Sequence, residues 1–279
     1  MILVFGKTGQ VASELGLMKG VISLSRAEAD LTNPAACSAA ILAYKPAAVI
    51  NAAAYTSVDK CEEEEEIAHV INGLAPSAMA KSCADLSIPI VHISTDYVFD
   101  GWGVTPFTVA DVPSPLGAYG RTKLHGERGV MDSGAVYAIL RTSWVFSEHG
   151  NNFVKTMIRL GKSQSVVSVV NDQIGGPTSA RAIANAAMAI AIGLQGEPEK
   201  KGVYHFSGAT DVSWAEFACK IFSLAQMDVA VREIPTSDYP TLAKRPLNSC
   251  LDCTELTKFD LERPDWISDL TDVLKKLGA

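Results

Sequence analysis

Short apolar runs that alternate with helical patterns fill the first half of the chain: Ile2–Phe5, Val21–Leu24, Ala48–Asn51, Pro89–Ser94 and Val136–Arg141. Strands separated by helices pair in parallel and take helices on both faces of the sheet. Right-handed crossovers make such a sheet doubly wound, with its ligand at the carboxyl ends of the strands. The segments between the runs supply the helices. One follows the glycine turn after the first strand and runs through Leu17. A second opens at Asn33-Pro34, an N-cap followed by a proline at the first helical position, and continues to about Tyr44. A long third starts in the acidic run Glu62–Glu66, which suits the positive end of a helix dipole and otherwise reads as a solvated face.

From about Asn151 the pattern loosens. Helices are expected at Phe153–Gly161, Ala180–Leu194, Ser213–Gln226 and after Pro264, with strands at Val166–Val170, Val203–Phe206 and Val229–Glu233. Gly175–Thr178 and Pro235–Pro240 read as loops open to a ligand. No disordered linker or internal repeat divides the halves. The expected organisation is a dinucleotide-binding domain over 1–150 and a smaller α/β substrate lobe over 151–279, with the chain free to re-cross between them.

Composition narrows the function. A net charge of −7 and a pI near 5.3 leave no basic stripe for nucleic-acid phosphates. Ala182–Leu194 is apolar but too short to span a bilayer, and Asn185 interrupts it, so no membrane association is expected. Met1 leads straight into Ile-Leu-Val-Phe rather than a charged leader, which points to a cytoplasmic protein with reduced cysteines. Cys250-Leu-Asp-Cys253 has redox or zinc spacing, but no second pair or histidine cluster accompanies it, and it reads as structural.

The chemistry-bearing residues fall at strand ends. Gly6-Lys-Thr-Gly9-Gln10-Val11-Ala12 joins the first strand to the first helix. Gly6 permits the tight turn, and Gly9 lets a pyrophosphate approach the amides of Gln10 and Val11. The second strand ends at Leu24-Ser25-Arg26 rather than in an acidic residue. Arg26 either pairs with a ribose 2′-phosphate, favouring NADP, or is a surface arginine. Asp30 and Leu31 follow near the adenine edge. Asn51-Ala-Ala-Ala54 offers small side chains for a flat ring. Ser94-Thr95-Asp96 either presents a hydroxyl to a substrate carbonyl or caps the next turn. Tyr119-Gly-Arg-Thr-Lys123 places phenol and ammonium on one helix face, where the ammonium is expected to lower the phenol's pKa toward neutrality.

Together these pieces resemble the extended short-chain dehydrogenase/reductase superfamily and, within it, the dTDP-4-dehydrorhamnose reductase family. The segments that carry the resemblance span nearly the whole chain: FGKTGQVASEL, NAAAYTSVDKCEEE, HISTDYVFDG, YGRTKLHGE, RTSWVF, GNNFVKTM, NDQIGGPT and AKRPLNS. The resemblance implies reduction of the C4 ketone of dTDP-4-dehydro-L-rhamnose by NADPH or NADH. It implies Tyr119 as proton donor, Lys123 on the nicotinamide ribose, and Thr95 where most of the superfamily has serine. Gly9, Gln10, Val11, Asp30, Leu31, Ala54, Tyr55 and Thr56 would line the dinucleotide. Val58, Thr95, Asp96 and Trp144 would face the deoxysugar, and Arg245 its diphosphate. Some members form metal-bridged dimers through dispersed glutamates. Glu14 matches one of these and a homodimer is compatible with the chain, but the second half shows no clear partners and no metal is expected.

Four alternatives stay in view. Sugar-nucleotide 4,6-dehydratases carry Asp-Glu after the threonine, whereas Tyr97 follows Asp96 here, so the second carboxylate is missing. A 4-epimerase, or a reductase of another 4-keto-6-deoxy sugar nucleotide, would use the same machinery. A non-catalytic subunit, as in relatives that partner methionine adenosyltransferase, would need neither Thr95, Tyr119 nor Lys123.

Overall fold

A computed structural model describes residues 1–279. The first half builds β1 (Ile2–Phe5), α1 (Gln10–Gly16), β2 (Val21–Leu24), α2 (Pro34–Tyr44), β3 (Ala48–Asn51), α3 (Val58–Cys61), α4 (Glu65–His69), α5 (Ala75–Asp85), β4 (Ile90–Thr95), α6 (Ala118–Met131) and β5 (Tyr137–Thr142). The rest adds β6 (Val145–Phe146), α7 (Phe153–Gly161), β7 (Val166–Val170), β8 (Ile174–Gly175), β9 (Thr178–Ser179), α8 (Ala180–Gly196) and β10 (Gly202–His205). It closes with β11 (Val212–Ser213), α9 (Trp214–Leu224), β12 (Ala230–Ile234), β13 (Asn248–Ser249) and α10 (Trp266–Leu277).

A six-stranded parallel sheet in the order β10-β5-β4-β3-β1-β2 is the centre of the molecule. Because side chains alternate along a strand, Ile2 and Val4 face one layer and Leu3 and Phe5 the other. The first layer is closed by α1 and α8, through Leu15, Ile183 and Ile190. The second is closed by α2, α5 and α6, through Ile41, Met79 and Val130. Strand order reverses between β1 and β3, and the crevice at that switch point opens at the carboxyl ends.

Two of these elements come from the second half. β10 pairs with β5, one residue earlier than the apolar run suggested, and α8 packs on α1. A separate core gathers Phe146, Met157, Val167, Phe217, Phe222 and Trp266 from β6, α7, α9, α10 and the β12-β7 pair.

The expected long acidic helix is broken. Between α4 and α5 the backbone widens into a π turn over Val70–Leu74. Pro76, in the first turn of α5, has no N–H to give the carbonyl four residues back, so the regular ladder cannot run through. The turn buries Asn72, whose amide takes the Tyr55 N–H at 2.8 Å and donates to the Thr122 hydroxyl at 3.1 Å. The expected ligand-facing loops also differ: Gly175 and Thr178 belong to short strands, Thr236–Asp238 forms a 3-10 turn, and neither segment lines the cleft described below. All six cysteines are free; Cys250 and Cys253 are buried apart, one near the Ile174 carbonyl and one near Ser207. No helix is long and apolar enough to cross a membrane.

Candidate active site

A cleft of about 1140 Å³ runs along the carboxyl ends of the central strands. At one end lies the glycine turn. Gly6 sits at φ +107°, and a Cβ there would stand 3.2 Å from the Ala12 Cβ and 3.4 Å from the Ala52 backbone, so the turn requires glycine. Gly9 precedes α1 with no side-chain cap, leaving the first-turn amides of the helix to face the cleft. Gln10, Val11, Leu31, Ala54, Tyr55 and Thr56 join this wall. Arg26 and Asp30 also reach it, but they bond each other at 3.0 Å, with the arginine side chain 78% exposed. The cleft thus has room and donors for a dinucleotide, with Arg26 at its rim held in an ion pair with Asp30.

The opposite wall is built of titratable groups. Thr95 ends β4 and does both things the sequence left open: its hydroxyl lines the cleft and accepts the Tyr97 N–H at 3.2 Å, capping the 3-10 turn. It also donates to Asp96 Oδ1 at 3.0 Å. Asp96 is buried, its Oδ2 without a hydrogen-bond partner, and loss of hydration pushes its carboxyl up to about 6. Tyr119, in the first turn of α6, meets Tyr97 edge-on at 5.5 Å and lies against Thr95.

Lys123 does not lower the pKa of Tyr119 as expected. Burial and the Asp96 carboxyl hold the phenol well above its ordinary pKa, partly offset by its bond with Thr95. The Lys123 ammonium instead donates to the Ile93 carbonyl at 2.7 Å and lies 3.3 Å from His92 Nε2. Only 1% exposed, it is itself pulled down to about 8 by desolvation, although Glu127 draws it back up. Behind it, Arg141 grips Glu127 through two bonds of 3.0 and 2.7 Å, and Ser94 donates to the same carboxylate at 2.5 Å.

Val58 and Trp144 border the same cleft. Trp144, at φ +47°, stacks on Trp214 at 3.6 Å, so its ring serves the core of the second lobe as well as the cleft. Arg245 is the one candidate that does not line the cleft; it bonds Asp59 at 2.6 Å and lies against Tyr97, with Nη1 unpaired. Sequence reasoning missed the tie at Gln10, whose carbonyl oxygen accepts from Ser147 at 2.8 Å and from Asn152 at 2.9 Å. The Gly-Asn-Asn run was the available signal. It also missed the partners of Glu14: Glu148 and His149 bring donor atoms within 4.8 Å of it and one another. Lys276 already neutralises Glu148, which leaves one carboxylate and one imidazole for a cation.

A doubly wound sheet with Thr95, Tyr119 and Lys123 at its carboxyl edge defines a member of the extended short-chain dehydrogenase/reductase superfamily. Within it, the chain belongs to the RmlD substrate binding domain family, whose model matches residues 1–279. It is 42% identical over 279 residues to the dTDP-4-dehydrorhamnose reductase of Aggregatibacter actinomycetemcomitans, covering 95% of each chain. A crystal structure of a dTDP-4-dehydrorhamnose reductase from Clostridium acetobutylicum superimposes with a TM-score of 0.92 at 38% identity, covering 100% of this chain and 99% of that one. The Bacillus anthracis reductase, solved in complex with NADP, gives 0.91 at 34% identity over 99% and 98% of the two chains.

Proposed function

We propose that this protein reduces the C4 ketone of dTDP-4-dehydro-L-rhamnose to dTDP-L-rhamnose, with NADPH as cofactor and NADH as the alternative. The observation that carries the reading is the meeting of the Gly6–Gly9 turn with Thr95, Tyr119 and Lys123 in one cleft. Gly9, Gln10 and Val11 would hold the dinucleotide phosphates, Asp30 and Leu31 its adenosine end, and Ala54, Tyr55 and Thr56 its middle. When bound, the nicotinamide supplies the hydride.

The protein's own residues supply the rest. Tyr119 keeps its proton at neutral pH because its phenol is raised, and so is loaded to protonate the ketone oxygen. Thr95 turns its hydroxyl from Asp96 to that oxygen and polarises the carbonyl. Lys123, charged below about 8, stabilises the tyrosinate left behind. Val58, Asp96 and Trp144 would bound the deoxysugar, and Arg245, held on Asp59 outside the cleft lining, would have to swing from that pair to reach the diphosphate.

We also read residues 151–279 as the substrate lobe, apart from α8 and β10. Its contacts with the site run through Ser249 against Asp96 and Arg245 on Asp59. Purified protein should consume NADPH when dTDP-4-dehydrorhamnose is generated in place by its upstream enzymes. Cofactor binding with no consumption would shift the reading to another keto-sugar nucleotide or to a non-catalytic subunit.

A further inference from the structure

His92 is fully enclosed behind the cleft floor, on the strand that carries Thr95, and the proposed chemistry does not use it. Gly126 lets α6 close over the Asn72 carbonyl, which a Cβ would meet at 2.1 Å, and so brings the helix within ordinary contact of the His92 ring. Each buried donor near it has to be matched with an acceptor, and here the matching has a direction. The Ala53 N–H donates to Asn51 Oδ1 at 3.2 Å, which fixes the orientation of the Asn51 amide. Asn51 therefore turns its Nδ2 donor toward His92 Nδ1, 3.1 Å away. Nδ1 must then be the bare, accepting nitrogen. A neutral ring accepting at Nδ1 carries its proton on Nε2, and Nε2 faces Lys123 Nζ at 3.3 Å. An N–H pointing at Nζ is matched by the lone pair of an amine and opposed by an ammonium.

We propose that Asn51 and His92 are positioning residues that act through Lys123: their hydrogen-bond chain presents an N–H to Nζ, favours the uncharged amine, and opposes Glu127, which favours the ammonium. The proposal rests on the reading of Lys123 as the charge that holds the tyrosinate. The groups acting on Lys123 are His92 and the Ile93 carbonyl from β4 and Glu127 from α6, with Arg141 of β5 bound to Glu127; Tyr119 shares the helix face. The neutral state of His92 agrees with its environment, since burial and the neighbouring lysine hold its pKa far below the usual imidazole value. The chain thus keeps Lys123 close to the balance between its two forms, where proton gain and loss both cost little.

Two experiments decide it. Asn51→Asp preserves shape and the bond from Ala53, but its carboxylate accepts from Nδ1–H, so the ring becomes an acceptor toward Lys123 and the ammonium is favoured. The basic limb of the kcat/KM pH profile should move up by roughly one unit or more; a limb that stays in place overturns the proposal. Independently, nitrogen-15 NMR of histidine-labelled wild-type protein should show His92 with a bare Nδ1 and a protonated Nε2 at neutral pH. The opposite tautomer overturns the proposal even if Asn51→Asp fails to fold. The NMR result does not depend on turnover, so failure of the ketone-reduction reading leaves it readable.

Discussion

The two walls of the cleft are made of different materials. The wall around Gly6 and Gly9 is backbone and small apolar side chains, and its features are set within a few residues of chain. The wall around Thr95 and Tyr119 is a set of buried polar groups drawn from β3, β4, β5 and α6. The first can be built by local turn geometry. The second exists only once the sheet has closed, because each of its groups is matched by one from another strand. A change on the first wall should therefore act mainly on cofactor affinity, and a change on the second on chemistry, pH response and stability together.

The largest effect should come from the polar wall. Lys123→Ala should lower kcat/KM by roughly a thousandfold and weaken NADPH binding as well, measured by steady-state kinetics and titration. A loss confined to affinity would mean that Lys123 belongs with the first wall. In the wild type, activity should fall as pH rises above about 8, where Lys123 gives up its charge. Gly6→Ala tests the other wall. Forcing a Cβ into a positive-φ turn should cost about 1–2 kcal/mol and weaken cofactor binding roughly tenfold, with kcat at saturating NADPH little changed.

Asp96 separates stability from activity. Its folded-state carboxyl titrates at about 6 against an ordinary 3.8, so the folded protein holds the proton more tightly than the unfolded chain. The sign follows: stability is lost as pH rises from about 4 to 6, and the full penalty stands above that. Asp96→Asn should gain on the order of 1–3 kcal/mol at neutral pH by thermal or denaturant unfolding. The gain should vanish below about pH 4, and turnover should fall. A variant with no gain at neutral pH would mean that Asp96 is better satisfied than its unpartnered Oδ2 indicates. The smallest effect belongs to Arg26. With its side chain largely in solvent, Arg26→Ala should weaken NADPH a few-fold and leave NADH unaffected, as ratios of kcat/KM would show.

The same contrast explains what could be read from the sequence. The parallel sheet, the glycine turn and the Tyr119/Lys123 pair were legible because each depends on short-range pattern: apolar runs of strand length, glycines after a strand, residues four apart on a helix. The break of the acidic helix was also local, since Pro76 was there to see, but the π turn that aims Asn72 at Tyr55 depends on tertiary fit. What escaped was long-range. The sequence placed the Lys123 ammonium on Tyr119, whereas the fold hands it to Ile93 and His92 across the strand–helix gap. Spacing within a helix says which face a charge shares, not which carbonyl it will meet. The pairing of β10 with β5, the tie of Gln10 to Asn152 and the setting of Glu14 beside His149 are hidden for the same reason.

The central claim is that Tyr119 gives its proton to the ketone, and it is tested most directly by Tyr119→Phe assayed with dTDP-4-dehydrorhamnose alongside NADPH binding. The account predicts a fall in kcat of roughly a hundredfold or more with cofactor affinity nearly unchanged. Turnover at the wild-type rate in Tyr119→Phe would contradict it.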